Sequence, residues 1–200
     1  MEINSSNYWD HRIYEENAEI NLKSIENIID DLKFNSEKFV ICGRGNNAHP
    51  DFTPKFSTPT SNIDSELYST VDHDPRYVDY ITRKGNYALS LIVDPSVPKK
   101  ILELGGKVFW FSPDYFNNDL PKIISGKFPR GNSGLTLISL ASYFGAKSIL
   151  LSGIKLTGQY SQFLSSKDLI FKDVMKKNCN IYSLDGILCK QISFSTWCKL

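Results

Sequence analysis

The sequence predicts a three-layer α/β sandwich built on a mostly parallel sheet, and three observations predict it. Short, continuously apolar runs rich in β-branched and aromatic residues recur along the chain. Segments with helical spacing lie between them. Glycine or Asp-Pro punctuation closes most of the runs. Alternating strands and helices at this spacing are the pattern of βαβ units. Unbroken apolar strands are what a sheet covered by helices on both faces requires.

The elements follow in chain order. From Asn17 to Phe34, the apolar residues Leu22, Ile25, Ile29 and Leu32 fall at helical spacing, which predicts one amphipathic helix ended by Asn35-Ser36. Lys38-Phe39-Val40-Ile41-Cys42 reads as a buried strand running into the glycine turn Gly43-Arg44-Gly45. Residues 46–66 contain Pro50, Pro54 and Pro59 and show no periodicity, so a long loop is expected there. Leu67 to Lys84 is mixed, read as a strand followed by a short helix over Pro75 to Ile81. Tyr87 to Val93 is a second buried strand closed by Asp94-Pro95, Pro98 to Leu104 a short helix, and Lys107 to Phe111 a third strand. Gly131-Asn132-Ser133-Gly134 opens a helix with Leu137, Ile138, Ala141 and Phe144 on one face and Gly145 as its stop. Ser148 to Ser152 is a fourth strand, Asp168 to Lys177 a helix, and Asn180 to Ser183 the last strand. The expected organisation is one Rossmann-like domain over 1–200, with a helical segment at 1–37 and a core at 38–185.

Composition bounds the function. The chain has 200 residues, 41 % of them hydrophobic and 22 % charged, with a net charge of +1. That balance fits a globular protein and gives no support for a nucleic-acid or membrane-surface partner. No apolar run approaches the roughly 18 residues of a membrane span. The first residues lack a basic stretch followed by an apolar one, so a cytoplasmic protein is expected. Cys42, Cys179, Cys189 and Cys198 are scattered, as reduced thiols would be.

In such sheets, ligands bind beyond the carboxyl ends of the strands. Gly43-Arg44-Gly45-Asn46 is a first candidate. Gly-x-Gly after a strand lets backbone approach an anion, and Arg44 adds charge. The third glycine of a dinucleotide fingerprint is missing, since Ala48 stands there, and a plain βα turn is the competing reading. A second candidate is the turn Lys127 to Gly134. There Lys127 and Arg130 precede a helix N-terminus, and Gly131, Asn132, Ser133 and Gly134 either cap the helix or cradle a phosphate. Asp94 ends a strand, and Asp72-His73-Asp74 is a D-x-D triplet. Such carboxylates suit Mg²⁺ bound against a diphosphate, or form a solvated loop. His11, His49 and His73 have no metal-ligand spacing. Trp110, Phe111 and Tyr115 offer either an aromatic platform for a flat ligand or core packing. Ile192, Phe194 and Trp197 read as a cover for a sheet edge or for a neighbouring element.

The segment GNSGLTLISLASYFGAKSILLSG at 131–153 resembles the hallmark of the MptE-like family, a glycine-rich turn followed by L-T-A-L-x-L-A-x-x-L-G-A-x-x-I-x-L-x-G. That family includes archaeal 6-hydroxymethyl-7,8-dihydropterin diphosphokinases and motility accessory factors that glycosylate flagellin. Two shorter matches accompany it, the early strand ending in Gly43-Arg44-Gly45 and the middle strand ending in Asp94. The resemblance spans roughly Lys38 to Ser183. The chain departs from the family pattern at Asn46-Asn47-Ala48, where Pro-Ser-Leu is common, and at Lys155, where Asp is common.

The resemblance implies a nucleotide-dependent transferase moving diphosphate from ATP to a small hydroxymethyl acceptor. Asp94 would be the catalytic carboxylate, and Mg²⁺ would be held by Asp94 or by Asp72 with Asp74. Arg44, Lys127 and Arg130 would neutralise phosphates. A nucleotide-sugar-dependent glycosyltransferase and a non-catalytic nucleotide-binding module are the alternatives. The expected partners are thus a nucleotide and a small acceptor, with self-association compatible with either.

Overall fold

The computed structural model describes residues 11–45, 50–113, 127–128 and 132–200. Among these residues the strands are β1 (Lys38–Cys42), β2 (Lys55–Ser57), β3 (Leu67–Thr70), β4 (Asn86–Ser90), β5 (Lys107–Pro113), β6 (Lys127–Phe128), β7 (Ser148–Ser152) and β8 (Asn180–Ser183). They form one sheet in the order β6-β5-β4-β3-β2-β1-β7-β8. Every neighbouring pair is parallel. The helices are α1 (His11–Leu22), α2 (Ser96–Glu103), α3 (Ser133–Tyr143), α4 (Leu164–Lys176) and α5 (Phe194–Lys199). This is the expected α/β sandwich.

Alternation along each strand sorts the side chains into two layers. Phe39 and Ile41 of β1, Phe56 of β2, Leu67 of β3, Ala88 of β4, and Phe109 and Phe111 of β5 share one core with the buried residues of α3 and α4. On the other face, Tyr87, Leu89, Val108 and Trp110 pack with Val97 and Ile101 of α2, while Val40, Cys42 and Leu150 pack with Trp197 of α5. Each large apolar side chain withdrawn from water contributes about 1.5–3 kcal/mol, so neither layer is dispensable. α3 is buried from Gly134 through Ser142, beyond the single apolar face expected of it. It lies between the sheet and α4, the position that demands apolar or small residues all round.

Four elements differ from expectation. β4 stops at Ser90 instead of Val93, and a turn follows, so Asp94 stands four residues past the strand end. The first helix ends at Leu22 instead of Phe34. Beyond it the chain leaves helical geometry to pair with the sheet: Trp110 N–H donates to Asn27 O at 3.0 Å, and Ile28 bridges Trp110. The apolar residues that mimic a longer helix are in fact divided between the faces, Leu22, Ile25 and Ile28 on one and Ile29 and Leu32 on the other. Within the expected loop at 46–66, Lys55–Ser57 forms β2, in the middle of the sheet between β1 and β3. Three residues are too few for a periodicity signal. Finally, Trp197 is fully buried and covers a sheet face, not an edge, with its indole N–H donating to Ser148 Oγ at 2.7 Å. All four cysteines are free thiols.

The order of the strands sets the site. From β1 the chain steps outward through β2 to β6, then returns along α3 to place β7 on the other side of β1. The strand order therefore reverses between β1 and β7, and a crevice is expected at their carboxyl ends.

Candidate functional site

At that reversal the two strand ends touch backbone to backbone. Gly43 N–H donates to Ser152 O and Gly45 N–H to Gly153 O, each at 2.9 Å. A Cβ at Gly43 would lie 2.6 Å from Gly153 O, and one at Gly45 would lie 2.7 Å from Gly153 Cα. Gly153 itself has φ +69°, in the left-handed region that glycine adopts at little cost. The glycine turn thus serves first to join β1 to β7. Its two glycine amides are engaged within the protein. Arg44, between them, is exposed and lies 5.9 Å from the centroid of the Tyr80 ring.

The N-terminus of α3 closes the same corner. Gly134 packs against Ile154, which follows β7, and a Cβ there would approach Ile154 Cδ1 to 2.9 Å. Asn132 caps the helix, Oδ1 accepting from Leu135 N–H at 2.9 Å. Of its two expected roles, capping is therefore the one realised by this oxygen. Ser133 reaches the tip of β3, with Oγ 3.3 Å from both the Val71 amide and Thr70 Oγ1. The Tyr77 hydroxyl joins the hydroxyls of Thr70, Ser133 and Thr60, and burial pushes its pKa up. Thr60 in turn lies 3.0 Å from Thr58, Oγ1 to Oγ1. A band of hydroxyl groups thus runs along the carboxyl ends of β2 and β3 to the first turn of α3.

A second focus lies at the ends of β3 and β4. Asp94 Oδ1 accepts from the Ser96 amide at 2.9 Å and from the Ser96 hydroxyl, which fixes the start of α2. Asp94 lies on the same sheet edge as the glycine turn but three strands from β1, about 14 Å at ordinary strand spacing. Its charge is felt by His73, whose pKa is lowered by burial and raised again in part by Asp72, Asp74 and Asp94. Burial raises the pKa of Asp72, while hydrogen bonds from Arg76 lower that of Asp74. Tyr14 of α1 meets the His73 ring edge-on at 4.8 Å. Asn17 and Asn21, one and two turns further along α1, donate to Ile92 O, and to Leu91 O and Val93 O, at 2.8–3.0 Å. Helix α1 is thereby fastened over the end of β4.

The carboxylates of the triplet accept hydrogen bonds within the protein. Both oxygens of Asp74 accept from the Arg76 guanidinium, and Asp72 Oδ1 accepts from the Asp74 amide at 3.1 Å. Among the described residues no group of three or more His, Cys, Asp or Glu side chains is arranged to hold a metal ion.

Of the expected site residues, Gly43, Arg44, Gly45, Asn132, Ser133 and Gly134 converge at the β1–β7–α3 corner, and Asp72, Asp74 and Asp94 gather at the β3–β4 corner. Lys127 opens β6, in register with Ser112. Asn46, Arg130, Gly131 and Tyr115 lie outside the described residues. Trp110 and Phe111 are each 1 % exposed, on opposite faces of the sheet. They are core, and neither can carry a ligand ring. The sequence reading passed over Thr60, Thr70, Tyr77 and Tyr80, which no motif marks. It also passed over Asn17 and Asn21, whose four-residue spacing beside buried Ala18 was a usable signal: two amides on an inward face need partners.

Fold and site together define a doubly wound, Rossmann-like α/β protein with glycine, hydroxyl and carboxylate groups gathered at the carboxyl edge around its topological switch point. Compared with known proteins, the chain matches no family model, and no curated sequence is significantly similar to it.

Proposed function

We propose that this chain is a nucleotide-dependent transferase that moves diphosphate from ATP to a small hydroxymethyl acceptor, as its resemblance to the MptE-like family implies. One observation carries the reading. The end of β1, the N-terminus of α3 and the hydroxyl groups at the ends of β2 and β3 meet at the point where the strand order reverses, the place where open α/β sheets take nucleotides. The positive end of α3 and the Ser133 hydroxyl favour a phosphate. Arg44 supplies the opposing charge, and the resemblance implies Lys127 and Arg130 as its companions. Asp94 is the catalytic carboxylate of this reading, held in one orientation by Ser96. Magnesium belongs to it as a companion of the nucleotide, the usual way this ion is bound.

A second reading, transfer from a nucleotide sugar, draws on the hydroxyl band of Thr58, Thr60, Thr70, Tyr77 and Ser133, which offers a sugar many donors and acceptors. Thermal melts with ATP, nucleotide sugars and 6-hydroxymethylpterin, with and without Mg²⁺, separate the readings. A nucleotide at a hundredfold excess over its Kd adds about 2.7 kcal/mol, a rise of roughly 5–10 °C for a chain of this size. The first reading expects AMP to form from ATP only when the pterin is present, with activity lost in Asp94→Asn. Turnover of a nucleotide sugar with no AMP from ATP replaces it with the second. Binding without turnover of either makes the chain a binding module, and no shift with any nucleotide refutes all three.

A further inference from the structure

The carboxyl edge carries an aromatic ring that neither the glycine turn nor the helix N-terminus accounts for. Tyr80 closes the 3₁₀ turn Pro75–Tyr80 and is 40 % exposed. Tyr77, from the same turn, meets it edge-on with centroids 5.4 Å apart. Tyr77 is 7 % exposed, and its hydroxyl is tied to Thr60, Thr70 and Ser133. The Tyr80 ring is therefore seated on a residue anchored to the ends of β2, β3 and α3. Arg44 comes from the opposite side, held between two glycines whose amides are fastened to β7, and its guanidinium lies over the same ring. Among the described aromatic residues the exposed ones are Tyr80 and Tyr143, and Tyr143 stands at the far end of α3, bonded to Asp30. Tyr80 is thus, among the described residues, the exposed ring at the carboxyl edge.

We propose that Tyr80 is the platform on which the base of the nucleotide stacks, with Arg44 leaving the ring to pair with the phosphates as the base arrives. This rests on the nucleotide reading above. A flat ring beside a cation selects a ligand that carries a π-face and an anion in one molecule. A nucleotide has both, whereas a neutral acceptor such as a pterin has only the first. The exchange keeps every group partnered. The ring trades a guanidinium for a base, and the guanidinium trades a π-face for phosphate oxygens, which it binds more strongly. Tyr80 acts as a specificity residue and takes no part in the bond-making step.

The experiment compares ATP with inorganic triphosphate by titration calorimetry on the whole chain. Stacking of a base on an aromatic side chain is strong enough that Tyr80→Ala should weaken ATP roughly tenfold or more. Triphosphate should be unaffected. Tyr80→Phe should bind both probes as the unaltered chain does, since only the hydroxyl is lost, and Arg44→Ala should weaken both by roughly tenfold or more. Because the Tyr80 side chain is substantially exposed, Tyr80→Ala should melt with the unaltered chain. ATP binding that is indifferent to Tyr80→Ala overturns this inference alone. Equal losses for ATP and triphosphate do the same, since they assign Tyr80 to the phosphates. If the unaltered chain binds neither probe, the nucleotide reading falls and this inference with it.

Discussion

Replacing Gly45 by alanine tests whether the meeting of β1 and β7 is the structural centre of the candidate site. The new Cβ would stand 2.7 Å from Gly153 Cα and 2.8 Å from Gly153 O. Both are backbone atoms, so no side-chain rotation relieves the overlap and the strand ends must separate. Such overpacking costs about 1–3 kcal/mol, and weakening the Gly45 N–H to Gly153 O hydrogen bond adds about 0.5–1.5 kcal/mol. The expected loss is about 2–4 kcal/mol, or roughly 5–15 °C in melting temperature. Gly145→Ala is the matched control. Gly145 has φ +89°, but a Cβ there meets nothing within 4 Å, so only the backbone strain of about 1–2 kcal/mol applies. Urea unfolding of both variants, with unchanged slopes, measures the difference. A Gly45→Ala loss no larger than that of Gly145→Ala would refute the close-approach argument. Separation of the strands also moves Ile154 from Gly134, so nucleotide affinity should fall in Gly45→Ala and hold in Gly145→Ala.

Four further outcomes concern buried groups and the cysteines. Asn21→Ala removes the donor to Leu91 O and Val93 O and should cost about 2–4 kcal/mol, with amide exchange accelerating in α1 while β1 and β7 stay protected. Trp197→Ala removes a fully buried indole and its bond to Ser148. It should cost about 3–5 kcal/mol by urea unfolding, and a loss under 1 kcal/mol would show that α5 does not hold the sheet face. At pH 8 a thiol reagent should label Cys198, which is exposed, and reach Cys42 and Cys179, which are buried, only on unfolding. Burial pushes the pKa of Cys42 up to about 12 and those of Cys179 and Cys189 to about 11. Folding therefore favours the neutral thiols. Their contribution is intact below the unfolded value of 9.0 and is lost as pH rises from there toward the folded values. Melting temperature should decline over that interval, and less steeply in Cys42→Ala.

Apolar runs long enough to show a period, and glycines placed to end them, were sufficient to determine most of the fold. β1, β4, β5, β7 and β8 and the helices α2, α3 and α4 are legible because burial on both faces demands a continuous apolar run and a solvated turn demands a break. The parallel sheet follows from their alternation. Position in the sheet is not legible. β2, three residues long, is a central strand only because β1 and β3 supply its partners. The helical spacing that continues past Leu22 is satisfied instead by a chain that crosses from one face of the sheet to the other. The candidate site divides in the same way. Its glycines and carboxylates stand at recognisable strand ends, but a strand end fixes only which edge a residue occupies. Which residues meet there depends on strand order, and the reversal between β1 and β7 exists only once α3 has carried the chain back across the sheet. That crossing engages the Gly43 and Gly45 amides with β7, brings Ser133 to Thr70, and leaves Asp94 three strands from β1. The placing of Arg44 over Tyr80 joins residues 36 positions apart with no motif between them, so the tertiary structure alone decides it.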